Sequence, residues 1–327
     1  MTNIKTHEPS PKNIRFPLII NSLCVIALIV VVCIIYNPFE EPIKIPVEDP
    51  VEDPAEVPFR YNRYLGGLVL TEYTGQDLDV IIPSKIGKYP VVGIDGAFEG
   101  SSLTSVIISD SVTSIGISAF KDCISLTSVT ISDSVISISI SAFEGCTSLT
   151  SVTIPNGVTS IGISAFQDCS SLASITIPDT VTRIGDSAFQ WCTSLTSITL
   201  SNNITRIGVR AFNECKLLTS ITIPDSVTNI GDCAFYGCRA LTSITIPDGV
   251  ANINDNAFED CSSLTSITIP DTVTRIGNCA FLGCRALTSI TIPNKVTSIY
   301  DNAFNGCKSL SSQTKQRILQ INPKAIF

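Results

Sequence analysis

The chain has 327 residues, 44% hydrophobic and only 15% charged, with a net charge of -8 and a single histidine. That acidic balance excludes nucleic acid as the main partner, because phosphate binding needs a basic patch. The lone His7 lies near the N-terminus, so no Ser–His or Cys–His arrangement and no histidine-bearing metal site can form in the rest of the chain.

Residues 1–16 hold Lys5, Lys12 and Arg15 against one acid. Pro17–Tyr36, "PLIINSLCVIALIVVVCIIY", contains no charge. A stretch of about 20 apolar residues spans a bilayer as a helix. The basic flank before it and the acidic sequence after it predict a cytoplasmic tail (1–16), a single-pass signal anchor (17–36) and an extracytoplasmic remainder. A cleaved signal peptide is the competing reading. It needs small residues at the cleavage site, which "VVVCIIYNP" does not offer. The same valines before Cys33 argue against a lipid-modified cysteine.

Residues 37–60, "NPFEEPIKIPVEDPVEDPAEVPFR", carry seven acids and two bases between regularly spaced prolines. Fixed φ and like-charge repulsion predict a semi-rigid stalk that holds the rest of the chain off a membrane.

From Gly66 a repeat emerges. Leu103 recurs every 23 residues through Leu310, Phe120 through Phe304, and Cys123 through Cys307. A fixed period of this length marks a solenoid. In "LTSITIP" the alternation sends Ile221 and Ile223 inward and Ser220 and Thr222 outward, as in a strand. Pro224 and Asp225 break it. Val227 and Ile230 face inward on a second short extended piece, Gly231 turns, and Ala234, Phe235 and Cys238 close the coil. No coil buries its apolar face alone, so stacking must do it. The ends deviate as caps should. Residues 61–102 contain a stretched coil with an insertion around Lys88–Pro90 and no cysteine after Phe98. Residues 103–309 are the regular repeats. In 310–327, Ser311 or Ser312 caps a short amphipathic helix carrying Ile318 and Leu319.

The pattern L-x-x-I-x-I-P-x-x-V-x-x-I-G-x-x-A-F-x-x-C resembles the BspA-like class of leucine-rich repeats over some three quarters of the chain. The resemblance implies a right-handed β-rich solenoid of nine to ten 23-residue coils with parallel β ladders. It also implies surface exposure and adhesion to host proteins, cells or neighbouring microbes, with no shared catalytic residues. Ser109, Ser132 and Ser201 replace the proline, and Asn254 and Tyr300 the glycine, which puts local turn geometry there in question.

The sequence holds no phosphate-binding or dinucleotide motif, and no catalytic residue, metal or cofactor is expected. The nine-cysteine column reads as a ladder of buried thiols rather than consecutive disulfides, because stacked Cβ vectors run parallel and cysteine favours burial. Cys233 and Cys279 stand outside the column, about 10 Å apart at two coil spacings. The Ser-x-Thr face is a flat hydroxyl ribbon, which resembles some ice-binding surfaces; strand propensity alone also accounts for it. The variable positions around each Phe and Cys carry more information. Trp191, Lys216, Tyr236, Arg239 and Arg285 are the candidate partner-binding residues, since exposed aromatics and arginines are what interface hot spots use. The expected protein is thus a membrane-anchored, cell-surface, non-catalytic repeat protein that binds an extracellular or cell-surface protein or glycan. The alternative is a structural cell-envelope spacer without a specific partner.

Overall fold

The computed structural model describes residues 57–327. The expected tail, the apolar span and all but the last residues of the stalk lie outside them. Among the described residues no helix is long and apolar enough to cross a membrane.

Each coil contributes two short strands on different faces. The Ser-Ile-Thr segments form one face, paired in parallel and in register: Ser174, Ile175 and Thr176 lie opposite Ser197, Ile198 and Thr199. Ser243–Thr245, Ser266–Thr268 and Ser289–Ile290 pair in the same way. The second face starts with Tyr89–Ile94 and proceeds coil by coil through Ser114–Ile115, Ser137–Ile138, Ser160–Ile161, Arg183–Ile184, Arg206–Ile207 and Asn229–Ile230. Every partner in these regular ladders is 23 residues away, so the sequence period is the stacking period. A third side has no strands. There each Phe amide donates to the Ala carbonyl of the next coil, as in Phe212 to Ala234 at 2.9 Å.

The core is the same set of side chains in every coil. Leu218, Val227, Ala234, Phe235 and Cys238 are fully buried, and Ile221 and Ile223 nearly so. Phe98 through Phe304 form an unbroken column of ten stacked rings, with successive centroids 5.1–5.6 Å apart and planes within 16°. Offset stacking at this separation adds to the hydrophobic contribution of each ring. About seven apolar side chains per coil, at roughly 1.5–3 kcal/mol each, oppose the backbone entropy of ordering it.

The departures from the pattern find specific accommodations. Ser132 and Ser201 keep the turn that proline makes elsewhere: Val135 N–H donates to Ser132 O and Ile204 N–H to Ser201 O, as Val158 N–H does to Pro155 O. Each serine hydroxyl also accepts from the amide two residues on, Ser134 at 3.2 Å and Asn203 at 3.1 Å, an ordinary serine turn. Gly208 is needed for close approach, since a Cβ there would sit 2.6 Å from Gly185 O. In regular coils the residue in this column donates its amide to the preceding coil, as Gly231 does to Ile207 O. Asn254 instead donates its side-chain Nδ2 to Ile230 O at 2.6 Å. The second sheet breaks at this coil and restarts with Asn252–Ile253.

The N-terminal cap contains a feature that the expectation of a stretched coil did not include. β1 (Phe59–Tyr64) and β2 (Gly67–Tyr73) form an antiparallel hairpin, and β2 then starts the parallel sheet by pairing with Tyr89–Ile94. The Tyr73 ring lies 5.2 Å from Phe98 and continues the aromatic column. The inserted segment folds back on itself, with Lys85 and Ile86 antiparallel to Pro90 and Tyr89.

At the other end α1 (Ser312–Ile321) covers the last coil, with Ser311 as its N-cap. Ile318 is fully buried, as expected, but Leu319 remains 38% exposed, because it is one residue round the helix from the buried stripe. Side chains of this cap stand in for the amides of an absent coil. Thr314 Oγ1 donates to Ile290 O at 3.3 Å, and Asn322 Nδ2 to Ile299 O at 2.9 Å. Their sequence offsets of 24 and 23 match the repeat.

Replacing the central Phe212 by alanine is expected to cost about 3–5 kcal/mol. It should loosen the coils around Phe189 and Phe235 first, because coupling in a solenoid is between neighbours. Hydrogen exchange resolved along the chain checks this; uniform loss of protection from end to end would contradict it.

Candidate functional site

The strandless side is where the coils differ, and its backbone is unusual. Two positions per coil adopt a left-handed conformation. One precedes the Ala-Phe pair, from Ser118 (φ 51°) to Cys279 (φ 54°); the other precedes the cysteine. Glycine fills the second position at 145, 237, 283 and 306, but Asp122, Asp168, Trp191, Glu214 and Asp260 also occupy it, with φ between 56° and 61°. A left-handed L-residue costs about 1–2 kcal/mol, which glycine avoids. From the coil of Ser118 to that of Cys279 the backbone of these corners is therefore the same, and only the side chains change.

Trp191 is 44% exposed at such a corner, with φ 61°. Its chain neighbour Gln190 is half-buried, with Nε2 3.4 Å from Asn213 Oδ1 of the next coil. Lys216 is exposed, and its Nζ lies 3.4 Å from Glu214 Oε2, so that charge is already paired. Tyr236 is half-buried; burial pushes its hydroxyl pKa up, and Glu259, Asp260 and Glu214 push the same way against the pull of Arg239. Arg239 and Arg285 are exposed. Lys216, Arg239 and Arg285 occupy one column, immediately after the cysteine, which Lys308 extends. Trp191 and Tyr236 stand in two neighbouring columns of the same corner.

Sequence reasoning did not identify the carboxylates that share this corner. Asp168 is half-buried, and its pKa is raised by burial and by Asp122 and Glu144. Lys121 Nζ pairs with Glu144 Oε1 at 3.3 Å across one coil boundary. The signal was available in the sequence, since Asp122, Asp168, Glu214 and Asp260 share the cysteine-preceding column.

The Ser-x-Thr face is uniform by contrast. Thr199, Thr222 and Thr245 are all exposed. The threonines that follow each Leu are bound to the scaffold: Thr219 Oγ1 donates to Thr196 O at 3.2 Å, and Thr265 Oγ1 to Thr242 O at 3.0 Å.

The described residues offer little chemistry. None of their His, Cys, Asp and Glu groups could hold a metal ion. A cleft of about 400 Å³ between the last coil and α1, lined by Ile292, Asn294, Gln316 and Arg317 among others, has no acid–base pair in its wall. All eleven described cysteines are free, and the nine of the column are buried. Each Sγ donates to the Phe carbonyl of the preceding coil, from Cys123 to Phe98 O at 2.9 Å through Cys307 to Phe281 O at 3.0 Å. Burial pushes the Cys123 thiol up to about 12 and raises those of Cys146 through Cys261 as well. The expectation of buried thiols agrees with this geometry. A thiol that cannot ionise is no nucleophile.

The fold and this corner define a leucine-rich β-solenoid whose coils share one backbone and vary at one edge. The family model for the BspA-type leucine-rich repeat region matches residues 94–219 and 206–326. Among solved structures, the chain is similar to a leucine-rich cell surface protein of Faecalibacterium prausnitzii A2-165, with 32% identity and a TM-score of 0.56, over 81% of this chain and 89% of the other. It is also similar to a leucine-rich repeat protein of Bacteroides ovatus, with 27% identity and a TM-score of 0.51, over 85% and 99% of the two chains. No curated protein matches. The chain belongs to the BspA-type leucine-rich repeat family.

Two outcomes follow from the corner and the thiols. Trp191→Gly relieves a left-handed residue at an exposed site, so thermal denaturation should show stability unchanged or raised by up to about 1 kcal/mol; a loss larger than that would make the ring a structural element. For the thiols, the folded pKa values lie above the unfolded value. Their contribution is therefore complete below about pH 8.5 and declines above it by up to about 1.4 kcal/mol per thiol per pH unit. Denaturation midpoints should fall between pH 8 and 10, and less steeply for Cys215→Ala; a flat profile would contradict the buried-thiol account.

Proposed function

We propose that this protein is a membrane-anchored, surface-exposed binding protein that catalyses nothing and recognises another protein or a glycan through its variable edge. The observation that carries this reading is Trp191, a large apolar ring held 44% exposed at a left-handed position where other coils carry Gly, Asp or Glu. Exposed Trp, Tyr and Arg are typical hot-spot residues. The Ser-x-Thr face repeats the same hydroxyls in coil after coil and offers little by which a partner could choose one place over another. Specificity needs local differences in shape and charge, which Trp191, Lys216, Tyr236, Arg239 and Arg285 supply. Family membership supports surface display. The single-pass anchor rests on the uncharged Pro17–Tyr36 and its basic flank, and a spacer without a partner is the reading to beat.

The test uses the full chain against an array of extracellular-matrix proteins and glycans. Saturable binding should be weakened at least tenfold by changing Trp191, Tyr236 and Arg239 together to Ser, with little change in melting temperature. Changing Thr199, Thr222 and Thr245 to Lys on the Ser-x-Thr face should leave it intact. If the threonine variant abolishes binding while the edge variant binds normally, the recognition face is the ribbon. If nothing binds saturably, the spacer reading replaces this one.

A further inference from the structure

The column immediately after the cysteines divides the solenoid in two. Its first four members, Ile124, Thr147, Ser170 and Thr193, are uncharged; its last five are Lys216, Arg239, Ser262, Arg285 and Lys308. The amide of Lys216, Arg239, Arg285 and Lys308 each donates to the carbonyl two residues back, at 2.8–2.9 Å. These side chains therefore leave the backbone in the same way from every coil. The rings of the core measure their spacing: 5.4 Å per coil from Phe212 to Phe235, and 5.2 Å from Phe281 to Phe304.

What stands two residues earlier decides whether each charge is free. Lys216 follows Glu214 and is paired with it at 3.4 Å. Arg239, Arg285 and Lys308 follow Gly237, Gly283 and Gly306, which leave no side chain to pair with. Among the described residues none of these three makes an ion pair. The motif Gly-Cys-(Arg/Lys)-(Ala/Ser) thus occurs three times, and the carboxylates nearest it come from the preceding coil, with Glu214 against Gly237 and Asp260 against Gly283. α1 extends the row at its end, with Lys315 Nζ 3.2 Å from Lys308 O. The row is interrupted once, at Ser262, where Glu259 and Asp260 share the coil; Glu259 accepts from Asn256 Nδ2, and one Asp260 oxygen lies against Gly283.

We propose that Arg239, Arg285 and Lys308 form a linear cation ladder that binds an anionic glycan polymer, sulfated or phosphorylated, running along the solenoid axis. This rests on the edge being the recognition surface, and it names the ligand class for the C-terminal half of that edge. Arg239 and Arg285 stand two coils apart and Lys308 one coil further, in one line along the axis, as suits a polymer that repeats its anions along one dimension. The motif's own Gly, Ala and Ser supply no large apolar anchor of the kind protein hot spots use, and a hydrated polyanion needs none. The attraction of such cations to a polyanion declines with salt.

The experiment measures binding of heparin (sulfated) and poly(glycerol phosphate) (phosphorylated) to the full chain in detergent, across a salt series. Changing Arg239, Arg285 and Lys308 together to Ala should weaken binding to at least one probe tenfold or more and flatten its salt dependence. Lys216→Ala should change it less than twofold, because that charge is already paired. Glu214→Gly recreates the glycine motif, frees Lys216, and should tighten binding a few-fold. Whichever probe binds more tightly identifies the anion. The proposal is overturned if neither probe binds, if the triple variant binds as the parent does, or if polyglutamate binds as tightly as the better glycan probe. None of these variants alters Trp191 or Tyr236, so failure here leaves the edge reading standing on its own test.

Discussion

Everything in this molecule depends on one constraint: each residue lies beside its equivalent 23 positions away, in the coil above and the coil below. The parallel ladders, the column of phenylalanine rings, the thiol-to-carbonyl ladder and the Thr hydroxyls that bond to the previous coil are separate consequences of that translation. Apolar side chains at a fixed offset bury each other only if the coils stack in register. A slip would set polar positions against the phenylalanine column, so hydrophobic burial and hydrogen bonding select the same arrangement.

That translation also restricts function. A face that repeats in every coil cannot mark a place along the axis, and the Ser-x-Thr side repeats closely, while the second strand face alternates among Ser, Arg and Asn. The third has a backbone fixed by tight turns and left-handed residues, and it tolerates side chains as different as Gly145, Trp191 and Glu214 at one position. The scaffold cannot vary without losing its stack, but the corner can. The accommodation at Asn254 shows how narrow the tolerance is elsewhere: one amide side chain replaces a backbone donor, and the sheet is interrupted.

The cysteine column illustrates a different economy. Buried thiols here serve as small apolar groups with one weak donor, and each uses it on a carbonyl of the coil before. The same burial that makes them fit makes them unreactive.

The repeat, the inward and outward alternation, the buried Phe and Cys columns and the C-terminal helix with its serine cap were all legible in the sequence. They arise from local periodicity that stacking then reinforces. The departures at Ser132 and Ser201 were visible too, but not their harmlessness, which depends on hydroxyls reaching amides two residues on. The candidate edge could be placed from the columns that vary. The residue two positions earlier, Glu214 or Gly237, is legible too, but only the tertiary structure brings Lys216 Nζ to 3.4 Å from Glu214 and leaves Arg239 without an ion pair among the described residues. The N-terminal hairpin likewise has no periodic signal, since it answers a need that exists only once the coils are stacked, to cover an open end. Period is written along the chain, whereas pairing and capping depend on which groups meet across it.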